Sequence, residues 1–185
     1  KRYLPEFLED AANELSADTR RYFAGLLEEL KEMEQQIASA DAELQRINKQ
    51  QTVCQRLSTM TGIGPVVATA FYAGIGDGKA FSSGRHVSAW LGLVPSQHST
   101  GGKATLLGIS KRGNSYLRTQ LINGARAALR HCENKTDKVS LWAQQLKARS
   151  NFNTATVALA NKMARMAWAM LHYQEDYRLK YSDKM

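Results

Sequence analysis

The stretch "LSTMTGIGPVVATAFYAGIGD", Leu57 to Asp77, decides how the chain folds. Val53, Leu57 and Met60 stand at helical spacing, so a helix runs into it. "TGIGP" then breaks that helix. The glycines flanking Ile63 tolerate backbone angles that other residues avoid. Pro65 stands where a new helix can start, because the first helical N–H has no intrahelical partner to lose. Helix, tight turn, helix over 51–76 has the form of a helix-hairpin-helix. In that motif Gly62 and Gly64 bring backbone N–H groups at the start of the second helix up to a DNA phosphate. The structural alternative is that both glycines make a tight corner and Ile63 plugs the core.

Upstream, Phe23, Leu26, Leu30, Met33, Ile37, Ala40, Leu44 and Ile47 alternate at three- and four-residue spacing, an a/d seam. A helix of that length needs a cover for its seam, and self-association through a coiled coil is expected. Downstream, "FSSGRHVSAWLGL" predicts a short helix capped by Ser82 or Ser83 and ending near Gly92. Asn114 caps a helix over about 115–132, with Leu117, Leu121, Ala125, Ala128, Leu129 and Cys132 as its apolar stripe. A further helix spans about 137–147, with Val139, Trp142 and Leu146 facing inward. The last, about 154–172, is apolar nearly all round apart from Asn161, Lys162 and Arg165. Residues 94–113 read as loop, with a hairpin around Ala104–Ile109 as an alternative, and no other strand stands out. The fold class is mainly α: a long coiled-coil helix, then a helical domain with a helix-hairpin-helix and a Gly-rich loop. The boundary is expected near residue 50, with an arm over 1–50 and the helical domain over 51–185.

Of the whole chain, 43% is hydrophobic and 23% charged, so global disorder is excluded. Two cysteines, Cys54 and Cys132, are too few for a disulfide framework and fit a reducing compartment as small core residues. No apolar run reaches the roughly 20 residues of a membrane span. Charge is uneven: residues 1–60 carry eight basic and eleven acidic groups, residues 61–185 seventeen and six. The second part is the candidate polyanion binder. Between Asp77 and Glu133 there is no acidic residue, but there are Lys79, Arg85, Lys103, Lys111, Arg112, Arg118, Arg126 and Arg130. Inside that interval lies "PSQHSTGGK", Pro95 to Lys103. Cations near Ser99 and Thr100 favour an alkoxide and stabilise a phosphorane, and glycines beside a hydroxyl let a phosphodiester approach. No carboxylate stands nearby as base or metal ligand, and adjacent His98 would point away on an extended chain. On these residues alone, a polar turn and a nucleophile both remain open.

The run from Leu57 to Leu129 resembles the C-terminal transposase domain of the insertion-element family with a DEDD-type N-terminal domain, the IS-one-ten and IS-eleven-eleven group. The resemblance rests on the Gly-Ile-Gly-Pro turn, "LGLVP", the hydroxyl-Gly-Gly-Lys loop, and "ISKRGN" followed by "YLR", in this order. It continues more weakly to about Leu171. The resemblance implies a bacterial, cytoplasmic, nucleoid-associated DNA recombinase, guided by a structured RNA. A loop serine would attack DNA and become a covalent phosphoserine. Counting from Pro95 puts the family serine at Thr100, while a one-residue gap puts it at Ser99. Ser99 is favoured because a primary hydroxyl is the less hindered, and Thr100 is the alternative. Lys103, Lys111, Arg112 and Arg118 would be electrostatic stabilisers or phosphate contacts, and Lys162 and Arg165 phosphate contacts. Mg²⁺ and four carboxylates would belong to a RuvC-like domain outside these residues. The chain opens at Lys1 rather than Met, so a longer parent is expected and this stretch alone would be catalytically incomplete. The alternative function is a non-catalytic helix-hairpin-helix module for nucleic-acid binding and oligomerisation.

Overall fold

The computed structural model describes residues 3–100 and 103–177, leaving aside the side chains of residues 99, 100, 103 and 104. The chain divides into two compact units, Lys1–Leu44 and Gln45–Met185.

The first unit holds α1 (Leu4–Glu9) and most of α2 (Ala17–Gln50). Pro5 sits in the first turn of α1, where its missing N–H costs nothing. Ser16 starts α2: its Oγ accepts from the Thr19 N–H at 3.2 Å. Arg20, one turn in, ties the connection down. Its guanidinium donates to the carbonyls of Leu8 at 2.6 Å, Asn13 at 3.2 Å and Leu15 at 3.3 Å. These are carbonyls that a helix end and a short loop would otherwise leave to water. No residue of α2 is buried. Of its seam, Phe23, Leu26, Met33 and Ile37 are all exposed, Ile37 at 61%.

The second unit is mainly helical, as its patterning predicts: α3 (Thr52–Ser58), α4 (Pro65–Ile75), α5 (Gly84–Trp90), α6 (Ser115–Arg130), α7 (Lys138–Arg149) and α8 (Phe152–His172). Side chains cap them: Ser83 for α5, Asn114 for α6, Asp137 for α7 and Asn151 for α8. α8 is the axis of the unit. It buries residues on nearly every turn, from Ala155 through Met163 to Leu171, and α3, α5, α6 and α7 pack on it. Leu117, Leu121, Ala125 and Leu129 make the buried stripe of α6, and Cys54 and Cys132 are both buried and free.

One expectation is corrected. Residues 94–113 are not loop: β1 (Pro95–Thr100) and β2 (Lys103–Ile109) form an antiparallel hairpin. Its signal was weak because most of both strands is exposed, and only the end of β2, at Ile109, packs against the core. An uncovered strand needs no apolar face, so "PSQHST" carries no alternation. In α7, Ser140, Ala143 and Leu146 are buried, and Val139 and Trp142 pack half-buried against the core, so the expected face does turn inward.

The turn between α3 and α4 packs tightly. Gly62 has φ +89°, and a Cβ there would stand 2.7 Å from the Gly124 carbonyl oxygen. The reverse contact is closer still: a Cβ on Gly124 would lie 2.0 Å from the Gly62 oxygen. Only paired glycines let this turn reach the middle of α6. Ile63, between the glycines, is buried.

Candidate nucleic-acid interface

The hairpin base is held by the segments that carry "LGL" and "KRGN". The Ser110 N–H donates to the Val94 carbonyl at 2.8 Å, and the Lys111 N–H to the Gly92 carbonyl at 3.2 Å. Gly92 and Gly113 both have positive φ, and a Cβ on Gly113 would fall 1.8 Å from the Trp90 oxygen. Arg118, from the second turn of α6, closes the arrangement. Its Nη1 donates to the Leu91 carbonyl at 3.0 Å and the Arg112 carbonyl at 3.2 Å. The structure thus places Arg118 as a clamp across the two backbone segments that root the hairpin. Lys111 and Arg112 are exposed at that root.

Ser99 and Thr100 end β1, paired through backbone with Ala104 and Lys103. The side chains of Ser99, Thr100 and Lys103, and Gly101 and Gly102 entirely, lie outside the described residues. Of the paired glycines in the α3–α4 turn, Gly62 is placed inward against Gly124. Gly64 is exposed, caps α4, and has open space where a Cβ would be.

Lys162 and Arg165 are brought together on α8, and each of two grooves meets them. One groove, of about 730 Å³, runs between β2, α7 and α8, walled by Leu93, Leu107, Ile109, Trp142 and Val157. The other, of about 560 Å³, lies on the α5 side and includes Ser83, Gly84 and Arg85. Gly84 lets α5 approach α8 closely: a Cβ there would be 3.0 Å from Arg165 backbone atoms. The Lys162 ammonium sits 4.4 Å from the centre of the Trp142 ring, a cation–π contact. Burial pushes the Lys162 pKa below its ordinary value, and the Arg165 charge pushes it the same way. Asn161, the third polar residue of this stripe, is structural. Its carbonyl accepts from the Ser88 hydroxyl at 3.3 Å, and its amide donates to the Leu93 carbonyl at 3.1 Å.

Four acids of this unit are engaged elsewhere. Asp77 pairs with Lys79, Glu133 with Lys147 and Asp176 with Arg56. The Asp137 carboxylate accepts from the Val139 and Ser140 N–H groups. Among the described residues, Arg85, Lys111, Arg112, Lys162 and Arg165 form no ion pair, so this face has positive charge without internal compensation. Trp142 and Arg85 had not been singled out as site residues. Arg85 was one cation among eight, and the spacing of Val139, Trp142 and Leu146 pointed inward. That face does turn inward, and the remaining surface of Trp142 lines the groove.

Known proteins place the chain in a class. Residues 54–140 match the family model described as the transposase IS116/IS110/IS902 family, and the chain belongs to this family of insertion-element transposases. The transposase for insertion sequence element IS1111A of Coxiella burnetii is 47% identical over 175 residues, 95% of this chain and 48% of that protein. A probable family 20 transposase of Pseudomonas aeruginosa is 50% identical over 153 residues, 83% of this chain and 45% of that protein. The transposase for insertion sequence element IS1328 of Yersinia enterocolitica is 40% identical over 136 residues, covering 74% and 41%. The chain spans about half the length of these curated relatives.

Proposed function

We propose that this chain is the part of a DNA transposase that supplies the nucleophile and much of the DNA contact. The observation that carries the reading is a hairpin whose first strand ends in two hydroxyl residues and whose root lies beside uncompensated cations. The relatives named as transposases support it. The proposed step is a transesterification at DNA. The Ser99 hydroxyl oxygen bonds to phosphorus, and the P–O3′ bond breaks. The strand leaves with a 3′-hydroxyl, while the other end stays as a 5′-phosphoserine. Lys103, Lys111 and Arg112 would stabilise charge on the phosphorane oxygens. Arg118 acts by holding the hairpin root and is a positioning residue. The serine proton goes to a base outside these residues, in the RuvC-like domain that the family reading supplies, and the leaving O3′ takes up a proton there or from water to become the 3′-hydroxyl.

Among the described residues, no three His, Cys, Asp or Glu side chains gather. They do not fit Mg²⁺, and no step here passes through it. Lys162, Arg165 and the exposed N-terminus of α4 at Gly64, in a helix-hairpin-helix, are proposed to hold DNA phosphates. Guidance by an RNA, self-association through the α2 seam and a place in the bacterial cytoplasm belong to the same proposal. No helix of the described residues is long and apolar enough to cross a membrane.

The test is a covalent protein–DNA adduct in the full-length transposase. Ser99→Ala should abolish the adduct and leave binding intact. Loss in Thr100→Ala alone would move the nucleophile one residue. An adduct that survives both changes would sink the serine-type reading. Salt-sensitive binding with no adduct in any variant would favour a non-catalytic nucleic-acid module.

A further inference from the structure

We infer that the two grooves meeting at Lys162 and Arg165 form one site for an unpaired nucleotide, with the base beside Trp142 and a neighbouring phosphate beside Arg85. This rests on the nucleic-acid reading above and adds the state of the strand. A contact with duplex backbone needs only cations. Here the cations stand on the ridge between two unlike cavities. The one on the hairpin side is walled by Leu93, Leu107, Val157 and the Trp142 indole, and its roughly 730 Å³ is ample for a base with its sugar. The one on the α5 side adds Arg85 to Lys162 and Arg165, with Met166, Trp168 and Ala169 also in its lining. An apolar and aromatic slot next to a basic track is the pairing that single strands need, because a stacked, paired base cannot leave the helix to fill a slot.

The chemistry of the walls agrees. The Asn161 amide nitrogen donates to Leu93, which orients the amide and leaves its oxygen and a second N–H for a base edge. Arg85, Lys162 and Arg165 have no acidic partner among the described residues, so a phosphate is the compensating charge. Lys162 is held partly out of water next to Arg165, an arrangement that costs free energy until an anion arrives.

The experiment measures binding of the 185-residue chain to a labelled oligothymidylate of about 10 nucleotides, and to a duplex of equal length, by fluorescence anisotropy at matched salt. Trp142→Ala should weaken single-strand binding about tenfold and leave duplex binding within about twofold. Ala158→Leu, which narrows the same groove while keeping the indole, should do the same, and keeps the test decisive if Trp142→Ala fails to fold. Trp142→Phe should restore most of the affinity. Arg85→Gln should weaken the single strand and flatten its salt dependence by about one counterion. The inference is overturned, with the nucleic-acid reading intact, if both strands bind and neither Trp142→Ala nor Ala158→Leu separates them. It is also overturned if poly-glutamate competes as well as the oligonucleotide, which would assign the groove to an acidic peptide. Failure of both oligonucleotides to bind at low salt would overturn the inference together with the reading it rests on.

Discussion

α2 and α8 are the two longest helices of the described residues, and burial divides them. α8 repeats small and apolar residues on nearly every side and is enclosed. α2 is longer, carries a regular apolar seam, and buries none of it. Both patterns state which face seeks cover, but among the described residues only α8 buries its own. α8 is enclosed because glycines allow close approach, at Gly84 against Arg165 and at Gly62 against Gly124, with Met163 alongside. On α2 the seam residues have no such neighbours. Hydrophobic periodicity therefore announces a need for burial without naming the partner.

The largest test of this contrast is a pair of truncations read by urea unfolding. Leu159→Ala, in a position 2% exposed, should cost about 3 kcal/mol through lost burial and a residual cavity. Ile37→Ala should change unfolding of the dilute chain by less than about 0.5 kcal/mol, and instead weaken self-association measured by light scattering. Equal costs at the two sites would break the comparison. A second pair uses glycines. Gly124→Ala should cost about 2 kcal/mol because the new methyl overlaps the Gly62 backbone. Gly25→Ala, with nothing within 4 Å, should gain about 0.5–1 kcal/mol from helix propensity, and a loss there would reveal a cover over α2.

The smallest effect sharpens how α7 is anchored beside α8. Burial pushes the Asp137 carboxyl up, but hydrogen bonds from Ser140 and the Val139 N–H, with Lys135 nearby, outweigh it and leave the group below its ordinary value. A depressed folded value means the stabilisation is complete above the unfolded carboxylate pKa of about 3.9 and is lost as pH falls through the folded value. Asp137→Asn should remove that part of the acid dependence and cost about 1 kcal/mol or less near neutrality, since Asn also caps well. Unchanged acid unfolding in the variant would mean the carboxylate contributes nothing there.

Much of the helical framework was legible because it rests on local rules. Pro65 opens α4, Asn114 caps α6, and the stripe from Leu117 to Leu129 turned inward as its spacing required. The hairpin was not legible in full. Most of it is exposed, and only Ile109 at its root packs against the core, so the strands carry little apolar alternation. The candidate interface was legible as chemistry and not as geometry. A run without acids pointed to an anion partner, yet nothing local told Arg118, bound to two carbonyls, from Arg85, which is not. Nor could spacing alone place Trp142 on a groove, since it packs half-buried against the core and only its remaining surface lines the cavity.

By itself, the sequence determined the positions of the helices, the division of charge between the two parts of the chain, and the family. Each follows from residue type and spacing along the chain, where propensity, capping and periodicity act over a few residues. Tertiary structure alone decided that Gly62 meets Gly124, that Arg118 clamps the hairpin root, and that Lys162 and Arg165 stand between an apolar groove and a basic one. Those outcomes depend on which distant surfaces touch, and the free energy of such contacts comes from shape fit between elements that no local pattern records.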